Sequence, residues 1–433
     1  MGKTPVLEKT NENDQRQLNW LDYLIHGCAF LSFLLIGADT LGFNLFGVNI
    51  RYSQFILVLL TGLLLIKAKF NLLSIFRDKH KDVKFWLVVA FVVCGLLSSL
   101  ISAYTSRAIL FFCFIVYNVI FLLLAMNLYM RLYPNWALKL FRISCFTVFG
   151  LLIVQILCWF LFHFEIPYMF NKQYHNGIYR FSLWAYEPSY FATYLVLWLG
   201  FASVKLFLGG EKKYIYDIVC ATFAILITTS TSGMIGIALI FSIVFFLWLF
   251  DGFKWQKLLL LLVPVVFILL MQFALTNVWE TFVLRLFNTS LDDATGGRVS
   301  GWKYAFDIFK QFPFFGVGPG CFGLYHGDVE EVPSNVTLEL LSTLGIFATL
   351  IFIAYHVVLL IQALKVYTRV DNKQDAITLL SLVVALTIFV IVLQVNQGYL
   401  RLYHWLFLGF LSGKINYYHA ALKSNVTEVK YEK

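Results

Sequence analysis

The stretch AITLLSLVVALTIFVIVLQVN, residues 376–396, runs for 21 residues without a charged side chain. At 1.5 Å of rise per residue it spans the hydrocarbon core of a bilayer as an α-helix, the form that satisfies every backbone N–H and C=O where lipid offers no partner. Similar apolar runs recur outward from it, at approximately 20–37, 53–67, 84–102, 108–128, 141–163, 188–208, 214–230, 233–250, 257–275, 338–364 and 402–418. Twelve spans are expected. Hydrophobic residues make up 60% of the chain, charged residues only 13%, and mean hydropathy is +0.78, which excludes an ordinary soluble domain. The polar first 19 residues, followed by a run long enough to span, give no sign of a cleavable signal peptide.

The loops between the runs fix an orientation. With the N-terminus in the cytoplasm, 24 of the 33 Lys and Arg fall in the inner segments, and each inner loop outweighs its short outer neighbours. The net charge of +9 is therefore mainly a topological signature, and no nucleic-acid partner is expected. The expected organisation is a cytoplasmic tail over 1–19, nine transmembrane helices over 20–275 with an outer loop at 164–187, a large periplasmic loop at 276–337, three more helices over 338–418, and a cytoplasmic tail over 419–433. Six of the seven cysteines lie in apolar runs and Cys321 is alone in its loop, so neither a disulfide framework nor a metal set is implied. His26 and His356 are the nearest approach to ionisable groups at mid-depth. Ion-coupled transporters usually carry more there.

Two outer segments are long enough for chemistry. Residues 277–336 hold four cations, eight glycines and a histidine between two apolar spans. Within them, SGWKYAFDIFKQF has helical periodicity, with Trp302, Ala305, Phe306 and Phe309 on one face and Lys303, Asp307 and Lys310 on another. Ser300 is the expected N-cap, Pro313 the stop, and the outer membrane surface the expected resting place. Arg298, preceded by Gly296 and Gly297, brings a guanidinium to a helix N-terminus, where a phosphate or pyrophosphate is readily bound; a solvated surface charge is the plainer alternative. The glycines of FFGVGPGCFG, 314–323, make a tight turn allowing close backbone approach to a ligand or another helix. Its spacing is not that of a P-loop.

The other segment, FEIPYMFNKQYHNGIYRFSLWAYE at 164–187, supplies Arg180 and Glu187. Glu187 precedes Pro188 at the start of a span, where it either interacts with the helix dipole or serves as a general base for a sugar hydroxyl. His326 and Glu339 are further candidates.

The pattern R…W…FPFFGVGPG…SN…LELLSTLGIFATL, with YEPSYFATYL and TTSTSGMIG, resembles the O-antigen ligase and O-antigen polymerase superfamily from about Arg180 to Phe352. The resemblance implies an all-α integral membrane fold, a GT-C-like polytopic glycosyltransferase with about twelve transmembrane helices and an amphipathic helix in a long extracytoplasmic loop. It also implies inverting transfer of a glycan from undecaprenyl pyrophosphate, without metal or cofactor, at the periplasmic face of the bacterial inner membrane. The expected catalytic residues are Glu187 as base and Arg298 and Arg180 on the donor pyrophosphate. Trp302, Lys303, Tyr325, His326, Asn335 and Tyr179 are the expected substrate-binding residues, and Trp184 is a further sugar-stacking or lipid-facing aromatic. The implied partners are the undecaprenyl-pyrophosphate-linked oligosaccharide, membrane lipid and a chain-length regulator protein.

Ligases typically carry His-Asn after the glycine turn and Ser-Arg at the end of the seventh span. Here Ser334-Asn335 and Thr229-Ser230-Thr231-Ser232 stand instead, which favours polymerase over ligase. A transporter or flippase for the same lipid-linked substrate would keep the spans but should line a central path with polar or charged residues.

Overall fold

Asn19 opens the first helix, α1 (Trp20–Leu35), with a reciprocal cap: its side chain accepts from Asp22 N and the Asp22 carboxylate accepts from Asn19 N. The computed structural model describes residues 19–45, 48–69, 83–175, 178–250, 298–327, 332–396 and 398–431. The N-terminal tail, the expected span at 257–275 and the first part of the large loop, with Gly296 and Gly297, lie outside the described residues. A short hairpin follows α1, in which β1 (Gly42–Leu45) pairs antiparallel with β2 (Val48–Arg51) and leads into α2 (Tyr52–Lys67). Next come α3 (Val83–Ile101), α4 (Thr105–Leu132) and α5 (Pro134–Phe162). A second antiparallel hairpin, β3 (Asn171–His175) with β4 (Ile178–Leu183), precedes α6 (Pro188–Phe207), α7 (Tyr214–Ile227) and α8 (Thr231–Phe250). The large loop contributes α9 (Arg298–Gln311) and the single turn α10 (Phe322–His326). The chain then continues through α11 (Val336–Tyr367), α12 (Lys373–Val395) and α13 (Leu402–Tyr431).

Among the described residues six helices, α3 to α6, α11 and α12, are long and apolar enough to cross a membrane, and four shorter apolar helices accompany them. The protein is a multi-pass, mostly helical membrane protein. Four details differ from the sequence reading. Two hairpins interrupt the all-α pattern on the loops; Asn176-Gly177 between β3 and β4 is the residue pair that favours a two-residue hairpin turn. The last helix does not stop near residue 418 but continues to Tyr431, since no Gly or Pro ends it. In α9 the buried stripe is Gly301, Ala305 and Ile308, and Phe306 is exposed beside Phe309 and Lys310. Ser300 lies inside α9 and so does not cap it.

Every residue of α6 is buried, so this helix is the axis of the bundle, packed by α7, α8 and α12. Gly200 makes the α6–α12 approach possible: a Cβ there would lie 3.0 Å from Ala385 Cα. Close backbone contact of this kind replaces the missing hydrophobic drive between helices in lipid.

α11 is broken near its start by Gly345, at φ +79°, ψ −177°. The break frees carbonyls that the helix would have used, and the glycine turn of the large loop takes them. Val317 N donates to Ser342 O and Gly318 N to Thr343 O, both at 2.9 Å, while Ile346 N donates back to Pro313 O at 2.9 Å. Ser98 Oγ adds a bond to Thr343 O. The FFGVGPG turn therefore serves close approach to another helix.

Segments assigned by charge to one side of the membrane bond one another. At one end Thr40 N donates to Trp184 O at 3.0 Å, Arg107 Nε to Gly320 O at 2.7 Å and Asn335 Nδ2 to Gln394 O at 2.8 Å. At the other, Arg142 grips Asp217, Lys205 pairs with Glu211 at 2.8 Å, and Lys67 with Asp22 at 2.7 Å.

Candidate functional site

At the end where the hairpins gather, a charged cluster draws on five separate segments. Asp39 follows α1 and is 6% exposed. Arg51, the last residue of β2, reaches it with Nη2 at 2.8 Å from Oδ1. Arg401, from the turn between α12 and α13, places Nη1 3.1 Å from both Asp39 oxygens. Its guanidinium carbon lies over the Tyr190 ring, 3.5 Å from the centroid, a cation–π contact. Burial opposes the charge on Arg401, yet Asp39, Tyr190, Tyr403 and Glu187 together hold its pKa above the ordinary arginine range.

The turn carrying Arg401 is fixed from three directions. Asn118 Nδ2 donates to Leu400 O at 3.2 Å, Trp405 Nε1 to Tyr399 O at 2.6 Å, and Asn396 Nδ2 to Thr193 Oγ1 at 2.9 Å. Asp39 uses only Nη1 of Arg401; Nη2 and Nε donate to none of the described residues. A guanidinium whose side chain is 12% exposed and which has donors in hand is a ready site for a phosphate oxygen.

Two more carboxylates face this arginine. Glu187 is half-buried at the head of α6 in extended backbone and does not cap the helix; one of its oxygens accepts from Ser189 Oγ at 2.9 Å. Of the two sequence-level alternatives, the direct capping bond is thus absent. Glu339, one turn into α11 and 8% exposed, feels the charge of Arg401 and the backbone of Gly398, while its Oε2 has no hydrogen-bond partner among the described residues. The Tyr403 hydroxyl is buried and unpartnered in the same way.

The other expected site residues are distributed around this end. Arg180 donates from Nε to Thr228 O at 3.0 Å, tying β4 to the turn before α8. Arg298 is the first described residue of α9, which packs on α11, whereas β4 packs on α5 and α6, so the two arginines ride on different supports. Lys303 is exposed on α9, and Trp302 beside it keeps a buried Nε1 without a partner among the described residues. Tyr325 packs edge-on to Tyr104 and Phe312, and its carbonyl accepts from the Tyr304 hydroxyl. Tyr179 packs at a tilt against Trp159 and Tyr174, with Lys172 over its ring. Trp184 is buried and its carbonyl receives Thr40. His326 ends α10, and its side chain is outside the described residues. Asn335 caps α11, accepting from Leu338 N at 3.0 Å.

The sequence reading thus found Glu187 and Glu339 but not Asp39, Arg51, Tyr190 or Arg401. Both arginines were counted as outer-face cations in short loops. The available signal was their position, each directly before a helix at the membrane edge, in NIRY and YLRL.

Residues 218–353 match the O-antigen ligase family profile. This match supports the O-antigen ligase and polymerase superfamily, whose members are glycosyltransferase-like enzymes acting on lipid-linked glycans in membranes. Comparison with curated proteins gives no match. The superfamily segment runs from α7 into α11, under a third of the chain. It includes Arg298, Asn335 and Glu339, and leaves Glu187 before it and Arg401 after it.

Proposed function

We propose that this chain is a surface-polysaccharide polymerase. In this reading it joins undecaprenyl-pyrophosphate-linked oligosaccharide repeat units at the periplasmic face of the inner membrane, with both termini cytoplasmic. The observation that carries the proposal is the partly buried Arg401, set over Tyr190 and braced by Asp39, with Glu187 in its field at the head of the central helix α6.

The chemistry follows from those positions. An acceptor-sugar hydroxyl attacks the anomeric carbon of the donor glycan, its proton passes to the Glu187 carboxylate, and the bond to the pyrophosphate oxygen breaks with the electron pair leaving on that oxygen. The configuration at the anomeric carbon inverts. Pyrophosphate is a stable anion in neutral water, so the leaving group calls for cations rather than a strong acid, and Arg401 Nη2 and Nε supply fixed donors. Arg298, at the start of α9, is assigned the distal phosphate. Arg180, whose Nε is bonded to Thr228 O, is assigned to holding the hairpin that delivers Glu187. Trp302, Lys303, Tyr325, His326, Asn335 and Tyr179 flank the acceptor path in this reading, and a chain-length regulator is the protein partner it anticipates.

The second reading is ligase, transfer of a finished polymer to lipid A-core, favoured by the name of the matched family. The deletion phenotype separates the two: a single repeat unit on the lipid core indicates polymerase, and polymer stranded on undecaprenyl pyrophosphate indicates ligase. Purified protein given lipid-linked repeat units in detergent should produce a ladder of chain lengths on a gel, without an ion gradient. Arg401→Ala and Glu187→Gln should abolish it. A full ladder from both variants would remove the assignment, and transport without polymer would point to a flippase.

A further inference from the structure

Away from the charged cluster, a cavity of about 340 Å³ opens on the side of the bundle between α3, α4 and α13. Its walls are apolar, formed by Val88, Val92, Val119 and Leu123, with Tyr355 of α11 at the back. One end is polar. There Lys84 Nζ donates to Asn416 Oδ1 at 3.3 Å, and Asn127 Nδ2 donates to Ser412 Oγ at 2.8 Å. Lys84 is 4% exposed, so its ammonium is held within the protein at the cavity end.

Three observations identify what fits. The first is length. From Lys84 to Val93 is nine residues of α3, about 14 Å of rise, close to half the roughly 30 Å hydrocarbon core. The cavity therefore has the depth of one leaflet's chain, with an ammonium and amides at headgroup level on the end that the loop charges assign to the cytoplasm. The second is the origin of the space. α4 contains a π-helical segment, Asn118–Leu124, and three of its residues, Val119, Leu123 and Leu124, line the cavity. A π segment carries an extra residue per turn and is retained mainly where it serves a site. The third is wetting: a space of this size lined by valine and leucine offers water too few partners, so hydrocarbon fills it. Val93 at its edge is 47% exposed, so the mouth is on the surface that lipid covers.

We propose that this cavity binds one acyl chain of an anionic glycerophospholipid of the inner leaflet, its phosphate held at Lys84 and Asn416. The site is independent of the glycosyl-transfer reading and of the Arg401 cluster.

The test uses the full-length protein in nanodiscs with phosphatidylglycerol bearing a photoreactive group on one acyl chain. Cross-linked peptides should come from α3 and the π segment of α4. Unlabelled phosphatidylglycerol should compete better than phosphatidylcholine, and Lys84→Ala should lower that preference about fivefold, the worth of one basic residue at an anionic surface. Val92→Trp, which fills the cavity, should remove the labelling; Val88→Trp is the second filling variant should the first melt early. Labelling that survives both filling variants overturns the proposal, as does an unchanged lipid preference in Lys84→Ala. Stronger displacement of the probe by undecaprenyl phosphate also overturns it, and assigns the cavity to the polyprenyl carrier.

Discussion

Arg401 Nη1 lies 3.1 Å from each carboxylate oxygen of Asp39, although 362 residues separate them. Their side chains are 12% and 7% exposed, and Arg51 shares the same carboxylate from the other side. Removing the shared acid leaves two partly buried cations, with side chains 21% and 12% exposed, beside each other. Asp39→Asn should therefore lower stability by about 3 kcal/mol, the low end of the cost of breaking a buried pair, because both arginines keep some contact with solvent. Thermal melting in detergent reads this directly; an unshifted midpoint would mean that the arginines are braced elsewhere.

Arg401→Lys keeps the charge and loses the planar fork, along with most of the contact with Tyr190. If the fork binds the leaving pyrophosphate, turnover of lipid-linked repeat units should fall by roughly 10²–10³. Activity of the lysine variant at the parental rate would assign Arg401 a structural role only.

Glu187 separates catalysis from folding because it makes no capping bond to α6. Glu187→Gln should leave the melting midpoint in place while lowering the rate by about 10²–10⁴, the contribution of a positioned general base. Equal loss of stability and activity would show that the carboxylate serves the fold instead.

Gly345 occupies a left-handed conformation where an added Cβ would lie 2.2 Å from Phe314 O. Gly345→Ala should cost about 1–3 kcal/mol and release the glycine turn from α11. Limited proteolysis near residues 312–318, compared with the parent, checks the release. Parental resistance would show that the turn holds without the kink.

At the opposite end, Glu211 sits between Lys205 and Lys213, at 2.8 Å from each. Burial disfavours its charge, but the two lysines outweigh it and hold its pKa below the usual glutamate value. A depressed folded-state pKa contributes stability that is present above the unfolded value and fades as pH falls through the folded one. Stability should thus drop on acidification, and Glu211→Gln should flatten that acid limb. Parallel curves for the two proteins would remove Glu211 as a cause.

Within the site, what the sequence revealed depended on how local the signal was. Glu187 stood out because Pro188 marks a helix start beside it, and α9 because its period lies within 14 residues. Asn335 looked like a family mark, and the cap it makes was equally local, though its bond to Gln394 was not. Arg401 was passed over because a lone cation in a short loop is usually solvated, and nothing nearby in the chain shows that Asp39 and Tyr190 await it.

The sequence by itself determined that this is a multi-pass helical membrane protein and that its loops divide by charge, because a bilayer imposes those constraints on each segment separately. Only the tertiary structure decided which loops meet. Apolar spans of leucine, phenylalanine and valine look alike to the period, so the order in which they pack, and hence the convergence of Asp39, Arg51, Glu187 and Arg401 around α6, depends on close contacts such as Gly200 against Ala385 that no single segment encodes.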